Sequence, residues 1–101
     1  MKPLEQLTGS DFRPYLNTTF TIQLEGLDPI PLELDRVTET SSKPWPDARQ
    51  PFTLHFLGPV SQQYLLQHIY ALDHPAMGRL ELFLVPLGPE AGRMRYEAVF
   101  S

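Results

Sequence analysis

The sequence predicts a single all-β domain, a small antiparallel six-stranded barrel or sandwich with a short N-terminal helix. Three observations lead there. Apolar residues alternate with polar ones at a period of two in one segment after another, as half-buried strands require. At 101 residues the chain has room for one core and not for two. Its 11 prolines divide it into segments of about 8–12 residues, the rhythm of strand and turn, because proline neither donates to a ladder nor continues a helix.

The early helix signal is Ser10-Asp11-Phe12-Arg13-Pro14-Tyr15-Leu16. Ser10 can cap the first free N–H groups, Asp11 suits the positive helix start, and Pro14 stays within the first turn. Thr8 with Asp11 also fits a capping box. Leu4, Leu7, Phe12 and Leu16 would then cover one end of the sheet. Phe20, Ile22 and Leu24 alternate with Thr21, Gln23 and Glu25 as a first strand, and Gly26 to Pro29 supplies a turn. Ile30, Leu32 and Leu34 alternate with Pro31, Glu33 and Asp35, which completes a hairpin. Val37 falls out of register with Leu34, so a bulge near Asp35-Arg36, or an end to the pairing there, is expected.

Residues 39–51 form the longest polar stretch, with three prolines and the chain's single tryptophan. A loop of this length is the first place to look for function. Phe52, Leu54 and Phe56 then mark a third strand, which Gly58-Pro59 is expected to end. Residues 60–66 read equally as a helical turn or a loop. Ile69 to Leu72 resumes strand character, Asp73 to Gly78 turns, and Leu80 to Pro86 forms the next strand. Apolar on both faces after Glu81, that strand is expected to be central and covered on both sides. Leu87 to Gly92 turns again before Met94, Tyr96, Ala98 and Phe100 alternate to the end. Short connections favour an antiparallel meander, closed because six flat strands would expose edges.

Composition narrows the function classes. Without cysteine, disulfides and thiolate zinc sites are excluded, and the cytoplasm suits such a chain. A net charge of −4 with scattered cations makes nucleic acid an unfavourable partner. The longest apolar run, Leu82 to Leu87, falls far short of the roughly 20 residues of a spanning helix, so no membrane segment is expected. The opening residues lack the apolar block of a secretory signal.

Candidate chemistry is sparse. His55, His68 and His74 include no H-x-H or H-x-x-x-H pair, so they read as surface or hydrogen-bonded strand residues and no metal or other cofactor is expected. Ser41, Ser42 and Ser61 cluster in polar loops, away from any nucleophile motif. Glu81 and Glu97 would form an acid–base pair only on neighbouring strands; cross-strand ion pairs with Arg79 and Arg95 are the simpler expectation. Phe20, Phe52, Phe56, Phe83, Tyr96 and Phe100 hold alternating strand positions and are expected in the core. Trp45, between Pro44 and Pro46, either folds back as a lid over one barrel end or stands out as a partner anchor. The lid gains more by covering an open core; the anchor makes Trp45, Pro44, Pro46 and Arg49 the candidate partner-binding residues.

Four segments carry a family resemblance. A phenylalanine-rich strand ending in Gly-Pro (Phe52–Pro59), a Tyr-x-Leu-x-His-Pro segment (Tyr70–Pro75), Leu-Phe-Leu-Val-Pro (Leu82–Pro86) and a closing Tyr-Glu-Ala-Val-Phe (Tyr96–Phe100) resemble a family of small bacterial proteins defined as a domain of unknown function. Leu7-Thr8, Phe12 and Phe20 also fit, and Ser101 replaces the usual final asparagine. The resemblance implies a bacterial origin and brings no catalytic residues. It also implies an accessory or structural part in phage-tail-like or fibre-like assemblies. The expected function is therefore a non-enzymatic interaction or structural protein with a protein partner or a homo-oligomer. The alternative is a small-molecule-binding barrel, or an enzyme of unexpected kind, with a pocket near Tyr70, His74 and Tyr96.

Overall fold

The computed structural model describes residues 3–39, 50–60 and 65–100. A short helix, α1 (Gly9–Phe12), is flanked by 3-10 turns at Leu4–Gln6 and Arg13–Tyr15. Thr8, not Ser10, is its N-cap: the Asp11 carboxylate accepts the Thr8 backbone N–H at 2.8 Å and its hydroxyl at 3.1 Å. Asn17, at φ 65°, then swings the chain into the sheet.

Six strands follow: β1 (Thr19–Gln23), β2 (Ile30–Glu39), β3 (Phe52–Val60), β4 (His68–His74), β5 (Gly78–Glu90) and β6 (Arg93–Phe100). They close into an antiparallel barrel in the order β1-β2-β3-β6-β5-β4. The expected simple meander is corrected here. Two three-stranded meanders are joined by a β3–β6 ladder and a β1–β4 ladder. The β3-to-β4 connection makes this possible, because Leu65 packs on the core and its N–H meets Tyr96 of β6. The chain thus enters β4 from a point anchored on β6.

Parity explains the interior. Phe20 and Ile22; Leu32, Leu34 and Val37; Phe52, Leu54 and Phe56; Leu72; Leu80, Leu82 and Leu84; Tyr96, Ala98 and Phe100 all point inward and are buried. Each large apolar side chain so buried contributes about 1.5–3 kcal/mol relative to exposure. The predicted bulge is present, with the β2–β3 register shifting between Leu34 and Arg36 so that Val37 returns to the interior. Phe12 plugs one end, its ring 5.8 Å from both Phe52 and Phe100, which stack at 4.4 Å. On β3, Gly58 points inward, and a Cβ there would come into close contact with the Met94 carbonyl and the Tyr96 ring, both at 3.4 Å.

Several expected boundaries move. β3 runs through Gly58-Pro59 to Val60, and β5 runs through Leu87 to Glu90. The turn after β5 shrinks to Ala91-Gly92, both at positive φ (53° and 81°), as a two-residue primed hairpin requires. β5 lies between two neighbours but is covered on one face alone. Phe83, expected in the core, points outward and is 51% exposed, because Leu82 and Leu84 on either side of it take the inward parity.

Candidate functional site

Trp45, Pro44, Pro46 and Arg49 lie outside the described residues. Tyr70 and Tyr96 come together over Leu65 and Leu66, and His74 does not join them. Tyr70 and His74 are four residues apart on β4, about 13 Å at the rise of a strand. The Tyr96 hydroxyl accepts the Leu65 N–H at 2.8 Å, while the Tyr70 hydroxyl donates to the Leu66 carbonyl at 2.7 Å. Both phenols thus hold down the approach to β4. Burial pushes the Tyr96 hydroxyl above the usual tyrosine range, with the Leu65 bond opposing it.

His74 sits at the far end of the barrel, buried against Phe20 (ring centroids 4.3 Å) and Tyr15 (4.9 Å). Nδ1 accepts two backbone N–H groups, from Ala76 at 3.0 Å and Met77 at 3.3 Å. The ring proton therefore belongs on Nε2, which donates to the Thr18 hydroxyl at 3.0 Å; that hydroxyl donates in turn to the Tyr15 carbonyl at 2.6 Å. Burial lowers the His74 pKa, and two donors aimed at Nδ1 work in the same direction. The side chain clamps the β4–β5 turn to the N-terminal segment.

The other histidines stand apart. His55 is on the outer face, 3.2 Å from the Thr38 hydroxyl, and its pKa is lowered by burial and then by Arg36. His68 opens β4 in solvent. Among the described residues, no group of three histidine or carboxylate side chains is placed to hold a metal ion. Nor do Glu81 and Glu97 pair. Glu81 lies beside Ala71, whereas Glu97 lies between His55 and Val85. The expected ion pairs form with other partners: Arg79 reaches Asp73, and Arg95 reaches Asp35 and Glu90.

The outer surface divides into two unlike faces. Across β2, β3 and β6 it is closed by charge. Arg95 grips the Asp35 carboxylate through two bonds of 3.0 Å and adds Glu90 at 2.6 Å. Arg93 donates to the Gly58 carbonyl at 2.6 Å and reaches Glu33 at 3.4 Å. The bulge is what presents Asp35 to the Arg95 fork.

Across β4, β5 and the end of β6 an apolar stripe runs between the Arg79–Asp73 pair and Glu97. Ile69 pairs with Phe83, and Val99 stands on the β6 side of Phe83. They are 57%, 51% and 65% exposed, more than half of each side chain in water. Leu87 extends the stripe along β5. Beside it the barrel wall parts. The β5–β6 ladder begins at Val85 and Glu97, while Gly78–Leu84 registers with β4 and Ala98–Phe100 with β3. A groove of about 300 Å³ opens there. Leu82, Ala98 and Phe100 form its buried floor, Phe83 and Val99 its exposed rim, and Leu4, Glu5 and Glu81 complete the lining.

Sequence reasoning missed this face. The available signal was Val99, which has the opposite parity to the core residues of its own strand, together with the unbroken run through Leu82–Val85.

Fold and surface together define a closed six-stranded antiparallel barrel with an apolar interior, one outer face tied by ion pairs and one that carries an exposed apolar stripe. A family model described as "Domain of unknown function (DUF6916)" matches residues 7–100. The chain belongs to that family. No curated protein and no solved structure matches it.

Proposed function

We propose that this domain is a non-enzymatic interaction module that docks a protein partner on the outer face of β4, β5 and the end of β6. The observation that carries the reading is the cross-strand row Ile69, Phe83 and Val99, more than half exposed beside a face tied up by ion pairs. Exposed apolar side chains grouped around a groove, with an aromatic among them, are what protein interfaces bury, and the aromatic is the natural anchor.

The flanking charges choose the partner. Glu81 and Glu97 stand one strand-face step to either side of the row, while the nearby Arg79 and Arg95 are already bound to carboxylates. A second copy packed here with aligned strands about a two-fold axis sets carboxylate against carboxylate, so a different protein with a basic-flanked apolar surface fits better. The setting proposed with it is an accessory part of a phage-tail-like or fibre-like assembly.

Site-specific photo-crosslinking in cells that express the chain natively tests this. With the crosslinker at position 83, a discrete adduct is expected, lost in Ile69→Ser/Val99→Ser and absent when the crosslinker is at Glu25. An adduct at twice the chain mass would replace the foreign partner with a second copy. Equal labelling from both positions, or none from position 83, would overturn the docking face.

A further inference from the structure

The groove between β5 and β6 has a lining that specifies more than an apolar contact. Its floor, Leu82, Ala98 and Phe100, is at most 8% exposed, so the bottom is hydrocarbon. Its volume of about 300 Å³ is at the low end for a ligand pocket and suits a side chain better than a whole cofactor. The two charges on its walls are Glu5, carried in by the N-terminal 3-10 turn, and Glu81 on β5. Both are exposed, and among the described residues neither has an ion-pair partner. A hydrocarbon floor beneath two carboxylates matches an aliphatic stem ending in a cation. A neutral apolar side chain would leave both carboxylates facing it unpaired, and an acidic one would be repelled.

We infer that the groove receives a lysine or arginine side chain of the protein partner. The alkyl stem lies on Leu82, Ala98 and Phe100, and the cation sits between Glu5 and Glu81. Phe83 and Val99 then pack against the residues that flank the basic one, and the Phe83 ring offers a guanidinium a face to stack on. The inference rests on the docking face proposed above and names the chemistry of the group that enters it. The groove persists because β5 and β6 take their neighbours from opposite sides there, so a partner finds it already formed.

The test uses the isotope-labelled full chain and two blocked tripeptide probes, Val-Lys-Val and its uncharged analogue with norleucine at the centre. Amide shifts are expected at Glu5, at 81–83 and at 98–99. Binding of the lysine probe is expected to be about fivefold tighter, the worth of one or two exposed ion pairs, with the margin shrinking as salt rises. Glu5→Gln/Glu81→Gln is expected to abolish the preference, and Glu97→Gln to leave it intact. Equal binding of the two probes, or shifts mapping elsewhere or nowhere, overturns the inference. The docking face is judged separately. An adduct from position 83 that survives Glu5→Gln/Glu81→Gln undiminished keeps the face and refutes the basic side chain.

Discussion

A neutral imidazole at position 74 satisfies three hydrogen bonds at once, two accepted at Nδ1 and one donated from Nε2. A second proton would have to go on Nδ1, directly against two backbone donors. The folded pKa lies below the ordinary value of 6.5, so between the two values the unfolded chain binds a proton that the folded chain does not. Stability from this residue is full above pH 6.5 and falls as pH drops through that window. His55, lowered as well, contributes with the same sign. Asp73, held below 3.8 first by its hydrogen bond to Arg79, acts only in stronger acid. His74→Asn keeps an acceptor and removes the proton site. Urea midpoints at pH 7.5 and 5.5 are expected to differ less in that variant than in the parent, and an unchanged difference would remove His74 as the cause. His74→Ala, which strands two backbone donors, is expected to cost about 2–4 kcal/mol at neutral pH.

At the scale of the element, β5 shows where period-two reasoning succeeds and where it stops. Strands whose alternate residues are polar, such as β1 and β2, declare their inner face in the sequence, and Phe20, Ile22, Leu32 and Leu34 are all buried. Leu82-Phe83-Leu84-Val85 is apolar at both parities, so the pattern gives no sign whether the second face is covered. Closure into a single-layer barrel, with Leu82 and Leu84 inward, is what leaves Phe83 outside. Of the three residues expected around one pocket, Tyr70 and Tyr96 meet and His74 lies away from them, for a related reason. Tyr70 and His74 do share a face of β4, but parity fixes a side chain's face and not its height along the barrel. The Thr18–His74 bond, spanning 56 positions, was beyond any local signal. The contrast is measurable in one scaffold. Phe83→Ser is expected to change stability by no more than about 0.5 kcal/mol, whereas Phe56→Ala, inside the barrel, is expected to cost about 3–5 kcal/mol. Chemical denaturation of both variants checks it, and comparable losses would mean that Phe83 carries core packing.

For the whole molecule, the motifs that carry the family resemblance turn out to describe the lining of the barrel. Phe52, Leu54, Phe56 and Gly58 form the inner face of β3; Leu72 and His74 belong to that of β4; Tyr96, Ala98 and Phe100 form that of β6. Such motifs identify the fold and leave the outward residues, where a partner would dock, to be found from coordinates. The strand count, the antiparallel closure and the bulge were legible because each has a local cause in spacing or turn chemistry. Strand order was not, because nothing in the sequence between β3 and β4 tells which strand the chain will pair with next.

That order bears on how the chain reaches its native state. The ring is complete only when Thr21 lies beside Asp73 and Leu54 beside Ala98, contacts that no single hairpin can template. Each three-stranded half, alone, would display two bare edges and half a core, so neither offers a refuge on the way. Stopped-flow refolding is accordingly expected to be a single exponential on the millisecond-to-second scale typical of non-local β topologies. Cleaving the chain between β3 and β4 should yield two fragments that are disordered separately and recover the native far-UV spectrum when mixed.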